Sequence, residues 1–130
     1  MFVLDTNTVI YFFKGSGNVS QNLLSKSPKD IGIPTIVLFE LEVGIAKSRF
    51  SRKRIKQLQD LIALVQVLPF GLKEARAAAS IRAQLEKKGI GIGPYDILIS
   101  GTALAHQATL VTHNTKEFSR IQKLQIEDWY

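Results

Sequence analysis

A chain of 130 residues with no cysteine excludes a disulfide framework, a Cys-ligated zinc site and a thiol nucleophile, and its two histidines are too few for a His-rich metal site, so any metal must be held by oxygen. At 45% hydrophobic and 22% charged residues the balance is globular rather than disordered, and the length suits one domain spanning residues 1–130. Seventeen Lys and Arg against eleven Asp and Glu leave a net charge of +6, which favours an anionic partner such as a nucleic acid.

In chain order, Phe2-Val3-Leu4 reads as a short buried strand ending at Asp5. Thr6-Asn7-Thr8 offers caps for a helix through Phe13, broken by Gly15-Ser16-Gly17. Val19 to Ser25 reads as a second helix with Leu23 and Leu24 inward. Ile31-Gly32-Ile33 is a strand stopped by Pro34, and Thr35 caps a helix to about Lys47. A long helix starts at Ser51, with Ile55, Leu58, Leu61, Ile62 and Val65 at helical spacing. Val67-Leu68 is a third strand, and an alanine-rich helix follows over Leu72 to Lys88, carrying Ala75, Ala79, Ile81 and Leu85. After the Gly89, Gly91 and Gly93 loop, Pro94 opens a helix over Tyr95 to Gln107. Thr109 to Thr112 is a strand, Lys116 to Phe118 a turn, and Leu124 to Ile126 a last edge strand. Strands alternating with helices predict an α/β fold with a mostly parallel sheet covered on both faces. No apolar run approaches the ~18 residues of a membrane span. The first residues carry no basic stretch and meet Asp5 early, so no signal peptide is read, and a cytoplasmic protein without a membrane partner is expected.

Three carboxylates interrupt apolar or glycine-rich contexts. Asp5 lies at the carboxyl end of a strand, where parallel sheets gather their ligands; it can equally cap the next helix. Glu40 shares a helix face with Ile36, Val37 and Gly44, and a carboxylate there needs a partner, either a cation in a structural salt bridge or a metal. Glu42 is turned away toward solvent. Asp96, two residues after Pro94, suits the first turn of its helix through the dipole. Together the three could meet at one sheet edge, where Mg²⁺ or Mn²⁺ would relieve their repulsion and activate water toward a phosphodiester. Asn114, at the end of the next strand, offers a neutral oxygen or an ordinary turn residue.

These residues carry a resemblance. Leu4-Asp5-Thr6-Asn7, Phe39-Glu40-Leu41 with Gly44, Ile92-Gly93-Pro94-Tyr95-Asp96 and Val111-Thr112-His113-Asn114 with Glu117-Phe118 resemble the motifs of PIN-domain ribonucleases. More narrowly they resemble VapC-type toxins of bacterial toxin–antitoxin pairs, over essentially the whole chain including Ile126-Glu127-Asp128-Trp129. The resemblance implies a three-layer α/β/α sandwich and RNA cleavage with Mg²⁺ or Mn²⁺. By motif it makes Asp5, Glu40 and Asp96 the metal-holding catalytic acids and Asn114 a further catalytic position, one often occupied by Asp in PIN domains. Glu117 would serve as a supporting acid. Structured RNA of the tRNA or ribosomal class, a VapB-like antitoxin and a homodimer are implied with it.

Arg49, Arg52, Lys53, Arg54 and Lys56 crowd one stretch with Lys47 and read as RNA-backbone contacts or as a solvated helix face. His106 reads as an ordinary surface residue. His113 lies near the site with no evident partner, and Trp129 and Tyr130 read as packing residues. Two other functions compete. One is a haloacid-dehalogenase-type phosphatase, for which Asn7 stands where a second Asp is wanted. The other is an RNA-binding or interaction module with a degenerate site.

Overall fold

The computed structural model describes residues 1–130. Five short strands, β1 (Phe2–Leu4), β2 (Ile31–Pro34), β3 (Gln66–Leu68), β4 (Thr109–Val111) and β5 (Gln125–Glu127), form one sheet in the order β3-β2-β1-β4-β5, and every pairing is parallel. Seven helices connect them: α1 (Thr6–Lys14), α2 (Val19–Leu24), α3 (Thr35–Ala46), α4 (Ser51–Ile62), α5 (Leu72–Lys87), α6 (Pro94–Ala105) and α7 (Thr115–Phe118). The first three strands step in one direction, and α5 and α6 then carry the chain back across to β4. With right-handed crossovers this sends α1–α4 to one face and α5–α6 to the other, an α/β/α sandwich.

The central strands are buried on both faces, which explains their unbroken apolar sequence rather than an alternating one. Val3, Leu4, Ile33, Leu110 and Val111 are fully enclosed in a core of 25 buried residues. Each such side chain contributes roughly 1.5–3 kcal/mol. The outer strand β3 buries only Leu68 and leaves Gln66 and Val67 exposed. On the far face α5 packs closely on α6 at Gly101, where a Cβ would lie 2.6–2.7 Å from Ala78.

Several boundaries and faces depart from the sequence expectation. Asp5, rather than the threonines after it, caps α1, and Pro34 precedes α3 while Thr35 is its first residue. Helix α4 ends at Ile62 and leaves Ile55 exposed, because Leu58 and Leu61, with Ile62 beside them, face the core. On α5 the inward set is Glu74, Ala78, Ile81 and Leu85, with Ala75 and Ala79 outward, since the close contact at Gly101 selects Ala78. Leu24 is exposed while Leu23 is buried. No helix is long and apolar enough to cross a membrane.

Candidate active site

The strand order turns at β1, which pairs with β2 on one side and β4 on the other. Beyond the carboxyl ends of β1 and β4 lies the crevice that such a switch point opens. Asp5 stands at its base, 6% exposed. Its N–H continues the ladder to the Val111 carbonyl at 3.2 Å, and its carboxylate accepts the Thr8 N–H at 2.9 Å. Asp5 therefore caps α1 and presents a carboxylate to the crevice; the two readings are one arrangement. Burial pushes its carboxyl above the ordinary value, and the nearby Asp128 charge adds to this against hydrogen bonds from Thr112 and Thr8.

Glu40, half-buried on α3, accepts the Thr6 hydroxyl at 2.7 Å. Glu42 is exposed, as its helical position requires. Asp96, half-buried in the first turn of α6, is pushed up to about 6. Burial is the main cause, followed by the charges of Glu117, Asp5 and Glu40. A helix N-terminus alone would favour the ionised form by ~0.3–1 kcal/mol. That effect is overwhelmed, so Asp96 is set by its surroundings in the crevice and not by its helix. Asn114 precedes α7; its N–H donates to the Thr112 hydroxyl at 3.0 Å and its Nδ2 to Glu117 at 2.8 Å. Glu117 is thereby held facing the other acids.

Five elements thus place Asp5, Glu40, Asp96, Asn114 and Glu117 about one crevice. None of its four carboxylates pairs with a Lys, Arg or His within 4.0 Å, so the salt bridge considered for Glu40 is not formed. The side chains as positioned bring no three acids close enough to enclose a single ion directly. Beside Glu40 a hollow of about 170 Å³ opens between α1, α3 and α4, lined in part by Phe13, Leu41, Ile45 and Arg54. Of the basic stretch, Arg54 faces this hollow and donates to Gln57 at 2.8 Å. Arg49, Arg52 and Lys53 are exposed, and Lys56 pairs with Asp60 on the outer face of α4 at 3.4 Å.

The structure also shows partnerships that sequence reasoning misses. His113 Nδ1 donates to the Asp128 carboxylate at 2.9 Å, and its ring stacks on Tyr130 with centroids 4.3 Å apart. The parallel register supplies the signal: Val111 lies opposite Glu127, so the next residues, Thr112-His113 and Asp128, emerge side by side. His106 is not an ordinary surface residue. Its Nε2 lies 3.3 Å from Glu74, which is 4% exposed and also accepts the Gly71 N–H at 2.9 Å. Trp129 packs against Phe2 as expected, whereas Tyr130 stays half-exposed.

Comparison with known proteins places the sequence and fold. The PIN domain family model matches residues 2–124. Ribonuclease VapC2 of Rickettsia felis is 36% identical over 131 residues, covering 99% of this chain and 98% of that protein. The tRNA(fMet)-specific endonuclease VapC of Salmonella typhimurium is 34% identical over 128 residues, covering 98% and 97%. Among solved structures, DNA-bound VapBC from Salmonella typhimurium superposes with a TM-score of 0.92 at 34% identity over 99% of this chain and 98% of that one. The promoter-bound VapBC2 complex from Rickettsia felis gives 0.89 at 36% identity, covering 99% and 98%. The phosphatase alternative does not survive these matches. The family model over most of the chain, and relatives and solved structures matched end to end, lead to one conclusion: the chain belongs to the PIN-domain family, among the VapC ribonucleases.

Proposed function

We propose that this ribonuclease is the toxin of a toxin–antitoxin pair and cuts structured RNA, of the tRNA or ribosomal class, at the crevice beyond β1 and β4. The observation that carries the site assignment is the gathering of Asp5, Glu40, Asp96 and Glu117 about one crevice with no Lys, Arg or His within 4.0 Å, a crowding and burial that push Asp96 up to about 6. Carboxylates gathered without any countercharge are costly in an empty protein and suited to a cation.

The donors fit Mg²⁺ or Mn²⁺. All are hard oxygens, and such an ion is commonly held by one or two carboxylates with water completing its octahedron, so no closed protein cage is needed. Asp5, Glu40 and Asp96 would hold it between them, directly or through its waters, and when bound it would supply charge for an activated water and for the phosphodiester oxygens. The chain's own residues set the stage. Thr8 fixes Asp5 through its backbone, Thr6 orients Glu40, and Asn114 restrains Glu117. Arg54 and the exposed Arg49, Arg52 and Lys53 offset the repulsion between the acids and RNA phosphates; Lys56, engaged by Asp60, contributes less. The relatives named VapC in VapBC complexes support a VapB-like antitoxin as partner. A homodimer in the cytoplasm completes the reading.

The test is cleavage of tRNA and ribosomal RNA by the purified chain with Mg²⁺ or with a chelator. Asp5→Asn is run in parallel. Cleavage that needs the metal and disappears in the variant supports the proposal. Cleavage unaffected by both overturns it. RNA binding without cleavage by the parent would instead favour the degenerate binding module.

A further inference from the structure

We infer that His113 and Tyr130 form a stacking shelf for an unpaired RNA base beside the acidic crevice. The inference rests on the ribonuclease reading above and adds a substrate-binding subsite to it. The two rings lie nearly parallel, 22° apart with centroids at 4.3 Å, and Tyr11 closes their flank edge-on at 5.9 Å from His113 and 5.0 Å from Tyr130. The side chain of His113 is 46% exposed and Tyr130 is 44% exposed. Apolar ring surface is thus left open to solvent, on residues that are otherwise tightly held.

The restraint is specific. Asp128 accepts His113 Nδ1 at 2.9 Å and also the Tyr130 N–H at 2.9 Å, so one carboxylate orients both members of the stack. The Tyr130 carbonyl accepts the Asn18 N–H at 2.6 Å. Gly17 permits this approach: a Cβ there would lie 2.5 Å from that carbonyl and 2.8 Å from the ring. Packing alone would bury such rings, as it does Trp129 one residue earlier. Rigid, half-exposed rings instead offer a π-face at low entropic cost, which is what base-stacking platforms supply.

Location selects the ligand. His113 directly precedes Asn114, the Asp128 charge reaches Asp5, and Tyr11 belongs to the helix that Asp5 caps. An RNA strand with its phosphate at the acids passes within reach of the shelf. A paired base has no free face to stack, so the shelf selects an unpaired nucleotide.

The experiment uses the full chain carrying Asp96→Asn to prevent cleavage. Two fluorescent single-stranded RNAs of about 12 nucleotides are titrated by anisotropy, one of adenines and one with abasic nucleotides at its centre. His113→Ala is expected to weaken binding of the first about 10-fold, equivalent to about 1.4 kcal/mol and within the range of one stacked base. Binding of the abasic RNA should not change. His113→Phe, which keeps the ring and loses the nitrogens, should bind adenine RNA within about threefold of the parent. Equal loss on both RNAs would make His113 a backbone contact or a fold determinant and overturn the shelf. Loss in both His113→Ala and His113→Phe would overturn stacking as the basis. Unchanged affinity in His113→Ala would also overturn it, assigning the exposed rings to protein contact. If the unsubstituted chain cleaves RNA in any of these cases, only the shelf fails; a chain that neither cleaves nor binds RNA overturns the parent reading as well.

Discussion

Replacing Asp96 by Asn should stabilise the metal-free protein at neutral pH while abolishing RNA cleavage. Asp96 titrates at about 6 in the folded chain against an ordinary 3.8. The folded state therefore holds this proton more tightly than the unfolded state, and wild-type stability falls as pH rises from about 3.8 to about 6. Below that window the acid is neutral in both states and the substitution gains nothing; above it the gain is complete. The span from 3.8 to about 6 corresponds to about 3 kcal/mol at 1.36 kcal/mol per pH unit. Asp96 is half-exposed, and solvent screening brings the expected gain to about 1–1.5 kcal/mol, or roughly 3–5 °C in melting temperature. The assay is a pair of thermal melts in chelator at pH 7.5 and pH 4.0. The variant should melt higher at pH 7.5, with most of the difference gone at pH 4.0. A variant that melts no higher at pH 7.5, or is equally stabilised at both pH values, would refute the crowding of charge around Asp96.

Asp5→Asn should keep the α1 cap and the fold while losing cleavage, whereas Asp5→Ala should also lose about 1 kcal/mol in a denaturant titration. Gly101→Ala should destabilise by about 1–3 kcal/mol, because its methyl would press on the Ala78 backbone; equilibrium urea unfolding checks this. Neutralising Arg52 and Lys53 together should flatten the salt dependence of RNA binding by roughly 0.7 per lost contact on a single strand, with the cleavage position unchanged. Burial raises the Glu74 carboxyl, but the Gly71 and Glu74 N–H groups, with Lys73 and His106, outweigh it and hold it below the ordinary range. Glu74→Gln should therefore lower the melting temperature at pH 7.5, and the loss should shrink as pH falls through 4.5 and below.

The parts of this molecule legible in its sequence are those fixed by local pattern. Phe2-Val3-Leu4 followed by Asp5 announces a strand buried on both sides with an acid at its end, and the helices show in their spacing. The acids could be singled out because each breaks an apolar or glycine-rich run. What escaped depends on contacts between distant residues. Thr6 meets Glu40 across 34 positions, and Glu74 meets His106 only because α5 and α6 pack together. The inward face of α5 was not readable, since a helix rich in alanine has little hydrophobic contrast and Gly101 on its neighbour decides the matter. His113 found Asp128 only through the β4–β5 register, which joins segments whose turn residues conceal their alignment.

The pairing of β1 with β4 has a consequence for the birth of the enzyme. The Asp5 N–H is satisfied by the Val111 carbonyl, far along the chain. The central strand cannot be enclosed until β4 has emerged. At 5–20 residues per second the wait between the two is roughly 5–20 s. Through that interval the acidic edge has no second wall, and α6, with Asp96, has no β4 to follow it into the sheet. During synthesis the chain therefore gains this edge only once β4 has emerged to pair with β1.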